Sequence, residues 1–166
     1  GNDGKALLTD DEMRSFWVIT SVFATTPKPA LLSNYFAFRD SLKRQGAHLC
    51  VVQLAYDGDP YIVGPKDADI VKMFRASKSK HLMWQKERLL NLALPLLPPE
   101  ARYVAWVDAD VLFVDDSWIH STIEKLKSGS GRLVQLFSAV HYLDEVQSET
   151  ARAEVQRAYH DGETLD

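Results

Sequence analysis

Four short runs along the chain are predominantly apolar without alternating: FWVITSVF at 16–23, HLCVVQLA at 48–55, RYVAWV at 102–107 and RLVQLFS at 132–138. Runs of this length, rich in β-branched and aromatic residues, predict strands covered on both sides. Between the first two, Leu31, Tyr35, Phe38 and Leu42 recur at helical spacing behind Pro29, and Gly46 supplies a stop. Leu82, Met83, Leu89, Leu90, Ala93 and Leu97 mark one face of a further helix, which Pro95 ends or kinks. Asp115 or Asp116 is placed to cap a helix striped by Trp118, Ile119, Ile123 and Leu126 and stopped at Gly129. A last, weakly amphipathic helix is expected over 148–160 behind a Ser148 cap. The stretch 60–80, with its brief YIV and acidic KDADIV, yields no assigned element, its basic SKSK suggests a mobile loop, and residues 1–14 read as a flexible polar lead-in.

Strands separated by helix-length segments predict an α/β fold, a mostly parallel sheet with helices on both faces. The expected organisation is the lead-in 1–14, one ligand-binding domain over 15–140 and a helical tail over 141–166. In such sheets ligands collect outside the carboxyl ends of the strands, where both YDGD (56–59) and DAD (108–110) fall.

Composition narrows the classes of function. The 166 residues are 46% hydrophobic, ample for a core, and the net charge of −4 gives no field that draws nucleic acid or anionic lipid. No apolar run approaches the roughly 20 residues that span a bilayer. The single cysteine, Cys50, lies in an expected core strand, which excludes a disulfide framework and a zinc cluster and points to a reducing, cytoplasmic setting. The first residue is Gly1 and the last segment, HDGETLD, is polar, so a piece of a longer protein is expected.

The chemistry concentrates in WVDADVLFVDD, 106–116. Carboxylates at i and i+2 on an extended backbone face the same way, so Asp108 and Asp110 together suit one hard cation. Mg2+ or Mn2+ accepts two such ligands and completes its shell with water and phosphate oxygens, which makes a diphosphate the natural partner. The bland alternative is that both aspartates are exposed strand-end residues. Leu112 and Val114 stand where an EF-hand loop needs oxygen ligands, so calcium of that type is excluded. Asp115 and Asp116 read as helix caps.

This pattern resembles the nucleotide-sugar glycosyltransferases of the GT-A fold, a Rossmann-like architecture in which an aspartate pair after a central strand holds the metal and the donor's diphosphate. WQKERLLNLAL before YVAWVDADVLFVDD looks like the segment preceding the metal motif in β-1,4-galactosyltransferase-like enzymes. Trp84, Gln85 and Lys86 hold its aromatic-polar-basic triplet, followed by Leu89, Leu90 and Asn91. The resemblance implies that Lys86 contacts the nucleotide, with Arg88 a neighbouring candidate and Trp84, Asn91 and Asp108 further donor-site positions. AYDGDP resembles the Asp-Asp-Gly-Ser turn of family 2 enzymes and implies that Asp57 meets uracil or ribose. Thr20 to Phe23 fall where such enzymes contact the base, with Ser21 and Phe23 as the expected positions.

The resemblance implies a metal-dependent glycosyltransferase donor domain using Mn2+ or Mg2+, a UDP-sugar, and a glycan, lipid or small-molecule acceptor. No acidic base motif follows Ser138. The catalytic base and acceptor half are therefore expected beyond Asp166, and the isolated chain is expected to transfer weakly or not at all. His141 reads as a surface residue, Asp144 and Glu145 as a helix start, and Trp106 and Trp118 as core. Lys72, Arg75 and the lysines of KSK (78–80) are candidates for a flexible lid over the diphosphate, against a plain solvated loop. His48, His81, His120 and His160 share no metal-ligand spacing. Two rivals remain: a haloacid-dehalogenase-like phosphohydrolase, whose D-x-D supplies nucleophile and general acid, and a non-catalytic nucleotide- or sugar-binding module.

Overall fold

In the computed structural model, which describes residues 9–23, 29–81, 86–129, 136, 139 and 141–163, the strands β1 (Phe16–Phe23) and β2 (His48–Tyr56) fall where the apolar runs place them, within one residue. β4 (Tyr103–Trp106) occupies the third run. The fourth expected strand, 132–138, lies outside the described residues apart from Leu136, which packs against the core. The stretch 60–80, to which the sequence assigns no element, contains β3 (Ile70–Ala76). It lies at the end of the sheet, partnered on one side by β2 only, and Lys72 and Arg75 interrupt its apolar pattern with exposed charges. Outer strands tolerate such charges, which blunt the unpaired edge.

Among the described residues every strand pairing is parallel, in the order β3-β2-β1-β4. The fold is α/β, a Rossmann-like parallel sheet flanked by helices. Alternate side chains of β1 divide between two layers, as the pleat requires. Phe16, Val18 and Val22 meet α2 (Pro29–Arg44) and α5 (Trp118–Lys127) through Tyr35, Phe38, Leu42, Trp118, Ile119 and Ile123. Trp17 and Ile19 meet Cys50, Val52 and, from α4 (Lys86–Ala93), Leu89 and Ala93. Full burial of each large apolar side chain contributes about 1.5–3 kcal/mol. Burial pushes the Cys50 thiol pKa up to about 11, so it packs as a small protonated hydrophobe and is no nucleophile.

Local signals explain where the helices stop. Gly46 has φ of +76°, its N–H donates to the Lys43 carbonyl at 3.0 Å, and the Ala47 N–H donates to the Leu42 carbonyl at 3.0 Å. This is the Schellman arrangement, in which a left-handed glycine satisfies the last carbonyls of α2. α4 ends at Ala93, and Pro95 continues it only as a 3-10 turn over Leu94–Leu96. The lead-in expected over 1–14 includes a short helix, α1 (Asp10–Arg14), closed by a reciprocal Thr9–Glu12 capping box. α3 (Lys78–His81) is a single turn. α6 (Glu145–Glu163) starts three residues before the expected Ser148 cap. Asp144 takes that role, accepting from the Gln147 N–H at 2.8 Å while Gln147 Oε1 accepts from the Asp144 N–H.

The connection from β2 to β3 carries no helix, and one buried side chain holds it to the sheet. Gln53 accepts the N–H groups of Ile62 at 3.1 Å and Val63 at 3.0 Å, and donates to the Val63 carbonyl. These bonds satisfy backbone groups that the absent helix leaves unpaired. They also seat Val63 in the core.

Candidate functional site

The strand order places the rim of interest. The chain runs outward from β1 through β2 to β3 and then returns to the other side of β1 as β4. The direction therefore reverses between β1 and β4, and ligands of open α/β sheets collect outside the carboxyl ends at such a switch point. Asp108 sits at that end. β4 pairs with β1 as far as Trp106 opposite Ile19, and the Val107 N–H donates to the Ile19 carbonyl at 3.1 Å before the ladder ends.

The backbone then departs from the expected extended path. The Val111 N–H donates to the Asp108 carbonyl at 3.3 Å, so Asp108–Val111 form a β-turn with the two aspartates at its first and third positions. Turn geometry, not strand alternation, sets the relation of the two carboxylates, and both residues are exposed. Beyond the turn, Phe113 stacks on Trp118 at 4.0 Å with an interplanar angle of 9°. Trp118 is itself held by Phe16 edge-on and by a 2.7 Å bond from its Nε1 to Gln45 Oε1. The loop is thus anchored on both sides of the aspartates.

Neither Asp115 nor Asp116 is the cap expected of it: α5 starts behind Ser117, which makes no side-chain cap bond. Asp115 Oδ1 accepts from the Ser117 N–H and Oγ, while Asp116 pairs with Arg44 and Gln45 at the end of α2. The stripe expected for α5 is buried at Trp118, Ile119 and Ile123. Trp106, expected in the core, is 39% exposed. It points to the side of the sheet where α4 lies over β1 and β2 instead.

Lys86, the first residue of α4, places its Nζ 2.5 Å from Asp108 Oδ1. The lysine side chain is 21% exposed and the aspartate 52%. Arg88 and Asn91 lie on exposed positions of the same helix. At about 3.6 residues per turn they fall on its outer side, away from Lys86, Leu89 and Ala93. The structure does not bring them to Asp108. Trp84 lies outside the described residues.

Ser21 and Phe23 close β1 at the same rim, on the α4 side of the sheet. Phe23 packs against the second core layer, and the buried Ser21 Oγ has no hydrogen-bond partner among the described residues. Thr20 Oγ1, facing the other layer, is likewise buried and unpartnered.

One strand over, the Tyr56–Asp59 turn closes with the Asp59 N–H donating to the Tyr56 carbonyl at 2.9 Å. Asp57 adopts a left-handed φ of 49°, one of the few conformations of this kind that Asp tolerates. Its N–H donates to the Ala76 carbonyl at 2.8 Å, and its Oδ2 accepts from the Lys78 N–H at 3.4 Å. Arg75 Nη1 donates to the carbonyls of Asp57 at 2.5 Å and Asp59 at 2.9 Å, with its guanidinium 4.7 Å over the Tyr61 ring. Lys78 Nζ pairs with Asp59 Oδ2 at 3.3 Å. Arg75 and Lys78, considered above as parts of a lid, are fastened to this turn. Sequence spacing did not foretell that role, since only the β2–β3 pairing brings Arg75 beside residues 57 and 59.

The donor chemistry at 108–110 fits a hard divalent cation: two carboxylates on one exposed turn leave most of an octahedral shell open. Among the described residues no group of three or more His, Cys, Asp or Glu converges into a closed metal site. Lys86 already supplies one positive charge to Asp108. His141 is exposed, as expected. No helix among the described residues is long and apolar enough to cross a membrane.

Fold and rim together define a Rossmann-like α/β domain with a charged, solvent-open switch point. No protein-family model, no curated protein and no solved structure matches the chain.

Proposed function

We propose that the chain is the donor-binding domain of a metal-dependent glycosyltransferase, holding a nucleoside-diphosphate sugar, with UDP as the nucleotide, at the carboxyl rim of β1 and β4. The observation that carries this reading is the meeting of Lys86 with Asp108. The two residues come from separate segments, each singled out by its own motif, and they converge at the switch point of a parallel sheet. A structural strand-end aspartate has no need of that partner.

In this reading Asp108 and Asp110 hold Mn2+ or Mg2+ through carboxylate oxygens. When bound, the ion neutralises charge that develops on the departing diphosphate. Lys86 offers its ammonium to phosphate oxygens as a mobile point charge. Ser21 Oγ, buried at the rim without a hydrogen-bond partner among the described residues, is a polar group that a nucleotide could engage only by entering beside β1. Asp57 has no part in this reading, because its carboxylate accepts from the Lys78 N–H. The single buried thiol suits a reducing, cytoplasmic setting.

The test is calorimetric titration of UDP with and without Mn2+, repeated on Asp108→Ala and Asp110→Ala. Metal-dependent heat that either substitution removes supports the donor site. Binding indifferent to metal and to both substitutions overturns it, and turnover of p-nitrophenyl phosphate would instead favour the phosphohydrolase.

A further inference from the structure

We infer that the Lys86 ammonium is a placeholder cation, keeping Asp108 closed to divalent metal until a diphosphate draws it away, so that metal and nucleotide load together. The inference rests on the donor-site reading for the ligand that releases the lysine. Its geometric basis is the 2.5 Å contact between Lys86 Nζ and Asp108 Oδ1.

An ion held by Asp108 would lie beside an ammonium still seated on the same carboxylate, and the two cations would repel. Water screens this repulsion only in part, because the Lys86 side chain is just 21% exposed. The lysine therefore has to leave when metal arrives. Its four-carbon stem allows this without moving α4, since the backbone of Lys86 is fixed as the first residue of the helix. A diphosphate provides the destination, with anionic oxygens that accept the displaced ammonium. Metal alone has to displace the ammonium from Asp108 and binds poorly, whereas with diphosphate present the ammonium meets anionic oxygens as it leaves. Such coupling is reciprocal: nucleotide tightens metal by the factor by which metal tightens nucleotide.

The experiment follows Mn2+ binding by calorimetry and by loss of the free-ion EPR signal, with and without UDP. It uses wild type, Lys86→Met, Lys86→Arg and the double variant Lys86→Met with Asp108→Asn. Without nucleotide, Lys86→Met should bind Mn2+ about tenfold tighter than wild type, a size set by removing one nearby positive charge. Lys86→Arg should stay as weak as wild type, and the double variant should lose the gain. UDP should tighten Mn2+ on wild type about tenfold and on Lys86→Met much less. If Lys86→Met binds Mn2+ no tighter than wild type while Mn2+-dependent UDP binding persists, the placeholder is overturned and the donor site stands. Tighter metal in Lys86→Met without any UDP effect on wild type leaves Lys86 as a competing cation only, and overturns both the coupled loading and the donor reading. Absence of Mn2+ binding in every variant overturns both.

Discussion

At the carboxyl rim of the sheet, the turns at 56–59 and 108–111 each follow a strand directly and each carry two aspartates, yet they are supported in opposite ways. In the first, side chains do the fastening: Arg75 grips two carbonyls, while both carboxylates are taken up by Lys78, one by its N–H and one by its ammonium. In the second, the support runs through the backbone and the core, from the Val107–Ile19 bond on one side to Phe113 on Trp118 on the other. Asp108 then meets a single movable ammonium. A turn held by its carboxylates has spent them on structure, whereas a turn held by its flanks keeps them for a ligand.

Several substitutions break or sharpen that contrast. The largest effect is expected from Gln53→Ala, which leaves buried backbone groups of Val63 unpaired beneath the β2–β3 connection. A loss of about 3 kcal/mol is expected in urea unfolding. A loss below about 1 kcal/mol would mean that the connection does not depend on this side chain. Arg75→Ala should cost about 1–2 kcal/mol and speed amide exchange at Asp57 and Asp59. Unchanged exchange there would show that the turn stands without its clamp. Asp57→Gly should stabilise by about 0.5 kcal/mol, because glycine accepts the left-handed conformation without a Cβ penalty, and destabilisation would show that the Lys78 contact outweighs that relief. Asp108→Asn should leave the unfolding midpoint nearly unchanged, within about 0.5 kcal/mol, since a half-exposed ion pair contributes little. A large loss of stability would make Asp108 as structural as the turn at 56–59.

Much of the fold was legible in the hydrophobic pattern, because buried parallel strands are apolar on both faces and need no partner to be recognised. β1 was readable to the residue, and so were the stops at Gly46 and Pro95, which act through the local backbone. β3 was hidden because an end strand can carry charges such as Lys72 and Arg75, and a pattern rule reads those as loop. The site was legible in part. The motif placed Asp108 at the rim and marked Lys86, but the turn that displays both aspartates follows from anchoring by Ile19, distant in sequence, and by the stacking of Phe113 on the buried Trp118. Arg88 and Asn91 show the converse limit. They neighbour Lys86 along the chain, and helical rotation turns them away from it. Trp106 was misplaced for a related reason, since nothing in a strand's own sequence says how far a covering helix extends.

The stacking of Phe113 on Trp118 has a consequence for recognition at this rim. Because the loop's path is settled when the domain folds, a newcomer need not freeze backbone torsions on arrival and forfeits little entropy in docking there. Affinity at the Asp108 turn should therefore respond mainly to charge and to the reach of the lysine stem. Shaving Phe113 to alanine would convert the same motif into a limp segment whose capture of any solute starts with a conformational toll.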